Sequence, residues 1–174
     1  MKDIYNTTPW LAQAHRLEKL GIVEIPGRKN NPDIMFMAKA MRLYYPNDET
    51  AWCGLFVGYC LYKANIKDKQ PENILGAKNW KNYGTKVSTS EVTPGDILVF
   101  WRTDPKGPYG HVGFYIGETK DAYKVLGGNQ GNTVSEVWIS KKRLIGIRRP
   151  TGFKTETIKQ SNTAEPNALS TNEG

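Results

Sequence analysis

An α+β domain, with N-terminal helices packed on a C-terminal antiparallel sheet of about five strands, is the fold this sequence predicts. Two observations carry the prediction. Up to about Tyr83 the apolar residues recur at helical spacing behind Thr-Pro and Asn-Pro starts. From Pro94 onward they fall into short runs separated by Gly, Pro and Asn turns. Helices first and strands after them argue for segregated α and β layers rather than alternating βα units. The 174 residues, 39% hydrophobic and 24% charged, suit one globular domain with its own core.

Thr8-Pro9 reads as N-cap and first helical position, and Gly21 as the stop, so a helix runs from Pro9 to about Leu20. Leu11, Ala14, Leu17 and Leu20 form its stripe, and His15 is a surface or half-buried residue on it. Asn31-Pro32 opens a second helix to about Leu43, with Ile34, Met37, Ala38 and Met41 inward. The third helix, Ala51 to about Ala64, is apolar nearly all round and should be central. Ala77 to Tyr83 is a short helix. Strands are expected at Ile97–Trp101, His111–Ile116, Tyr123–Leu126, Thr133–Ile139 and Leu144–Arg149. Residues 1–150 then form the domain. The Thr-, Ser-, Asn-, Glu- and Lys-rich stretch 151–174 reads as a flexible tail.

The formal charge of +7 favours anionic partners: nucleic acid, anionic lipid or bacterial cell wall. The basic residues are scattered, with tight groups only at Lys141-Lys142-Arg143 and Arg148-Arg149, and no nucleic-acid motif is present. No apolar run approaches the roughly 20 residues that cross a bilayer, so no transmembrane segment is expected. The N-terminus lacks the apolar core of a secretory signal, which predicts synthesis in the cytoplasm.

The chemistry centres on Cys53. At the first turn of the third helix it would meet unpaired N–H groups and the positive end of the helix dipole, both of which favour a thiolate. Taken alone, Cys53 reads first as a buried small hydrophobe. Cys60 lies about 10 Å further along the same helix, beyond disulfide reach, and reads as packing. Gly54 would let a substrate carbonyl approach, and Trp52 and Trp80 could line a groove, although core packing suits both tryptophans.

A catalytic thiol needs a base. His111 opens a strand after a Gly-rich loop, on the face opposite Val112, Phe114 and Ile116, where it could enter a groove roofed by the central helix. If that strand forms a hairpin with the next, the register sets His111 opposite Asn129 or its neighbours. An Asn carboxamide there would hold the imidazole tautomer, with Gln130 as the competing choice. Zinc spacing, a phosphate-binding loop and a placed carboxylate pair are all missing from the sequence.

Five segments in order are similar to those of the NlpC/P60 and CHAP superfamily of cysteine peptidases and amidases. They are Trp52-Cys53-Gly54-Leu55-Phe56-Val57, Ala77-Lys78-Asn79-Trp80, Pro94 to Phe100, Gly110 to Tyr115 and Gly127-Gly128-Asn129-Gln130. The resemblance spans roughly Pro9 to Pro150, and is strongest to the subgroup found in phage lysins and antibacterial effectors. It implies a papain-like fold and hydrolysis of peptidoglycan amide bonds by Cys53, His111 and Asn129, with no cofactor and no required metal. Trp52 and Gly54 flank the thiol where many NlpC/P60 members carry Asp and Ser, and no third histidine exists, which pulls toward the CHAP side.

Peptidoglycan is the implied partner, with an immunity protein or a secretion or phage-tail component as further ones. The implied place of action is the cell wall or periplasm, after delivery through a holin-type pore or a secretion machine. A deamidase or protease acting on a protein, and a non-catalytic wall-binding or tail module, are the alternative functions.

Overall fold

The computed structural model describes residues 3–153 and 167–173. The first helix, α1 (Pro9–Lys19), starts as its sequence dictates. Thr8 Oγ1 accepts from the Leu11 N–H at 3.3 Å, and Pro9 occupies the first turn. The chain turns off through Gly21 at φ +65°. Trp10, Leu11, Ala14 and Leu17 are buried, while Leu20, expected in the stripe, is 60% exposed beyond the last turn. The second helix, α2 (Pro32–Ala40), is capped by Asn31 and ends short of the expected Leu43, where Arg42 takes a left-handed conformation. The third, α3 (Cys53–Lys63), has Trp52 as its N-cap and is buried from Cys53 through Leu61. The expected short helix is a 3-10 helix, Ala77–Asn82.

The sheet has six strands rather than about five: β1 (Thr85–Val87), β2 (Ile97–Trp101), β3 (Gly110–Glu118), β4 (Ala122–Gly127), β5 (Ser135–Ser140) and β6 (Leu144–Arg149). Their order is β1-β6-β2-β3-β4-β5, antiparallel throughout. The additional strand, β1, has three residues of which only Val87 is buried, so it shows no apolar alternation to read. Expected to begin a strand, Thr133 instead makes an isolated bridge to Val23, and β5 begins at Ser135.

Alternation along the strands produces two apolar layers. Ile97, Val99, Val112, Phe114, Ile116 and Leu126 pack with all three helices. Leu98, Phe100, Tyr115, Tyr123, Val125, Ile139 and Ile147 pack together on the other face. The turn before β2 ties the layers to α1 and to the end of β6. Trp10 Nε1 donates to the Gly95 carbonyl at 2.6 Å, and Asp96 accepts a two-pronged bond from Arg149 at 2.6 and 2.7 Å. Among the described residues no helix is long and apolar enough to cross a membrane.

The expected flexible tail, 151–174, falls partly on residues 154–166 and 174, which lie outside the described residues. Residues 167–173 run along the sheet. The Ser170 N–H donates to the Trp138 carbonyl at 2.7 Å, and the Gly131 N–H to the Asn172 carbonyl at 2.8 Å.

Candidate active site

Cys53 is the first residue of α3, so the N–H groups around it have no helical partner. Trp52 supplies no side-chain cap. The sulfur takes that role: burial pushes the thiol pKa up, while N–H groups of Val112, Gly54 and Cys53 and the charge of Arg102 work in the opposite direction. Cys53 is 2% exposed. Cys60, in the same helix, has its thiol pushed well up by burial alone. The Val112 contact brings the Cys53 sulfur to the residue that follows His111.

His111 pairs with Phe100 across β2 and β3, and Phe100 belongs to the layer facing away from the helices. The imidazole is therefore on the face opposite α3, not in a groove roofed by that helix. Thiol and base approach the start of β3 from its two sides. Among the described residues, no hydrogen bond joins Sγ to the imidazole.

The His111 ring is fully buried, and each nitrogen has a neighbour. Nε2 lies 2.9 Å from Gln130 Oε1, and Nδ1 lies 3.1 Å from the main-chain carbonyl oxygen of Glu173. Gln130 cannot reverse its amide without loss, because its Nε2 donates to the carbonyls of Val125, at 3.3 Å, and Ser135. Its oxygen is thus held toward the ring and accepts when Nε2 carries the proton; the Glu173 carbonyl at Nδ1 is an acceptor too, so a neutral ring donates to one of the two and only the imidazolium donates to both. Gly127 makes the contact possible: a Cβ there would lie 2.8 Å from Gln130 Oε1 and 3.3 Å from His111 Nε2. Burial depresses the His111 pKa to about 4, against the pull of the Glu173 charge and of the Gln130 bond.

Asn129, expected on the imidazole, is not the residue placed there. The hairpin register does carry Phe114 opposite Leu126, which extrapolates to His111 opposite Asn129. However, β4 ends at Gly127, and Asn129 adopts φ +58°, so the chain leaves the ladder before that pair can form. Gln130 folds back in its place. Asn129 is buried with its Oδ1 unpartnered.

The groove residues need a similar correction. Trp52 and Trp80 are completely buried, with Trp52 Nε1 donating to Glu24 at 3.3 Å and Trp80 Nε1 to the Ile74 carbonyl at 2.9 Å. Both are core. Gly54 has no room for an approaching carbonyl on its Cβ side, where a methyl would meet the Ile74 oxygen at 1.8 Å. Glycine at this position lets α3 pack.

Two residues at the site escaped the sequence reading. Glu173 comes from the polar tail and is 1% exposed. Arg143 Nη1 and Nη2 donate to its two carboxylate oxygens at 2.9 and 2.8 Å. Burial pushes the Glu173 carboxyl upward, but the Arg143 bonds and charge, with His111, hold it below the usual range. The one available signal was the basic group Lys141-Lys142-Arg143. Beside this pair an open cavity of about 430 Å³ is lined by Trp101, Arg102, Thr103, Arg143 and Thr171. Among the described residues, no three His, Cys, Asp or Glu side chains gather where a metal ion could sit.

Residues 44–129, which include the buried thiol at the start of α3 and the imidazole at the start of β3, match the CHAP domain. This segment belongs to the CHAP family. CHAP domains are generally hydrolases, of a kind that includes peptidoglycan hydrolases and amidases. The CHAP match contains Cys53 and His111 and ends at Asn129, one residue before Gln130. Arg143 and Glu173 lie beyond it. No curated protein matches the chain.

Proposed function

We propose that the chain is a papain-like cysteine hydrolase that cleaves an amide bond in the peptide stem or cross-bridge of peptidoglycan, as an endopeptidase or an N-acetylmuramoyl-L-alanine amidase. The observation that carries the reading is that the thiol and the imidazole both reach the start of β3. The Cys53 sulfur faces the Val112 N–H, and the adjoining His111 is buried with Gln130 Oε1 held 2.9 Å from its Nε2.

In this mechanism substrate binding rearranges the site so that the His111 ring, held on the other side of β3 in the free chain, reaches the sulfur. The ring takes the thiol proton, and the Cys53 sulfur attacks the amide carbonyl carbon. The backbone N–H groups of Cys53 and Gly54, at the positive end of α3, stabilise the oxyanion. Collapse breaks the C–N bond, and the imidazolium returns its proton to the leaving amine. A thioester remains on Cys53. His111 then draws a proton from water, the hydroxide adds to the thioester carbonyl, and the acid leaves as the thiolate is regenerated. Gln130 takes the orienting role given earlier to Asn129. Burial makes the neutral thiol and neutral imidazole the resting state, so the ion pair forms as the site opens to water and substrate.

The positive net charge suits an anionic wall. The protein acts at the wall or in the periplasm as a phage lysin or a secreted antibacterial effector, delivered by a pore or a secretion machine. Turbidity of purified cell walls tests the assignment. Walls clear with the wild type and not with Cys53→Ala, and mass spectrometry of the fragments names the bond. Equal clearing by Cys53→Ala removes the mechanism, and binding without clearing makes the chain a wall-binding module.

A further inference from the structure

Residues 167–173 contain one buried side chain, and it is charged. Leu169 is 46% exposed and Thr171 and Asn172 are exposed, whereas the Glu173 side chain is fully buried. Apolar burial does not hold this segment in place; directed polar contacts do. Arg143 Nε donates to the Trp101 carbonyl at 3.1 Å, a bond that aims the fork without the segment, and Nη1 also donates to the segment's own Ser170 carbonyl at 3.2 Å. The main chain is bound at both ends, by Trp138 and Arg143 at Ser170 and by Gly131 at Asn172. Its next carbonyl lies on His111 Nδ1.

This is the pose of an extended peptide ligand: strand-like main-chain bonds, one side chain in a polar socket and a carbonyl on His111. The adjoining cavity, lined by Arg102 and Thr103 as well as Arg143, continues the groove past the segment. Arg102, which lines this cavity, also acts by its charge to lower the Cys53 pKa.

We propose that Ser170–Glu173 occupies the substrate groove in cis, and that Arg143 is the residue that reads a carboxylate-bearing side chain of an extended peptide substrate. The inference rests on the hydrolase reading for its function, but the groove itself is tested without catalysis. While the segment is docked, the Glu173 carbonyl covers His111 Nδ1, and substrate must displace it. Attachment to the same chain gives the segment an advantage that no free peptide of equal contacts has.

The experiment uses the full chain carrying Glu173→Lys, which sets a cation against Arg143 and expels the segment, and Glu173→Gln as a milder second variant. The probe is fluorescent acetyl-Ser-Thr-Asn-Glu-Gly, with its Glu→Gln counterpart as control, followed by anisotropy. Either variant, shown folded by circular dichroism, binds the Glu peptide at least about tenfold more tightly than the wild type does. It also prefers the Glu peptide to the Gln peptide by at least about tenfold. Adding Arg143→Met removes that preference. Equal binding of both peptides, or of neither by both variants, overturns the proposal. On cell walls the Glu173→Lys chain shows a lower KM with little change in kcat. Selective peptide binding without wall cleavage by any variant would keep the groove and remove the hydrolase reading. Cys53-dependent wall cleavage without peptide binding would do the reverse.

Discussion

Two arginine–carboxylate pairs of nearly the same geometry hold this molecule, and they do different work. Asp96 and Arg149 meet at 2.6 and 2.7 Å, and Glu173 and Arg143 at 2.9 and 2.8 Å; both carboxylates are fully buried. Asp96 also accepts from the Thr93 N–H, and Arg149 donates to the Glu91 carbonyl and to Thr93 Oγ1. That pair joins the turn before β2 to the end of β6, which are parts of the fold itself. The second pair joins β6's approach to a segment whose other side chains are half-buried or exposed, and whose main chain touches His111. Bond geometry alone does not separate a structural clamp from an occupied site. What each partner is attached to does.

The largest effect should come from breaking the structural pair. Asp96→Ala leaves the Arg149 guanidinium half-buried and unpaired and is expected to cost on the order of 3 kcal/mol of stability, read from urea unfolding. Glu173→Lys should cost less than about 1 kcal/mol in the same measurement, since the segment can leave and expose Arg143 to water. Equal costs would erase the distinction between the pairs.

Next in size is the orienting bond. Gln130→Ala is expected to lower kcat about 100-fold, because the imidazole loses the side chain that holds it at Nε2. Steady-state release of amines from cell walls measures it. Asp96→Ala, far weaker in its effect on chemistry, provides the contrast.

A smaller effect concerns pH. His111 is depressed to about 4 in the folded protein, below its ordinary value near 6.5. Between those values the unfolded chain binds more protons than the folded one. His111 therefore adds to stability above pH 6.5, and that contribution is lost as pH falls toward 4. Urea midpoints of the wild type should fall over this window more steeply than those of His111→Gln. Parallel curves would contradict the burial argument. Smallest of all, Asn129→Gly relieves a left-handed backbone at a residue with an unpartnered oxygen. It should change stability by no more than about 0.5 kcal/mol and leave the hydrolysis rate alone.

Most of the layering was legible in the sequence because caps and periodicity are local. Thr8-Pro9, Asn31-Pro32 and the alternation from Ile97 onward act within a few residues of themselves. Cys53 and His111 were legible for the same reason, one at a helix start and the other at a strand start. Gln130 was not separable from Asn129, because the choice turns on a backbone angle at Asn129 that frees the chain from its ladder. Trp52 and Gly54 were misplaced because burial depends on what the Ile74 and Glu24 segments bring against them. Arg143 and Glu173 are 30 residues apart with polar neighbours on both sides, and nothing local in either announces a pair.

The central claim is that one of two cysteines on α3 does the chemistry. Amide cleavage frees one amine for each bond broken, so amine release from purified cell walls can be compared for Cys53→Ala and Cys60→Ala, both matched to the wild type in circular dichroism. The account predicts no release by Cys53→Ala and release near the wild-type rate by Cys60→Ala. Release by Cys53→Ala at the wild-type rate would contradict it.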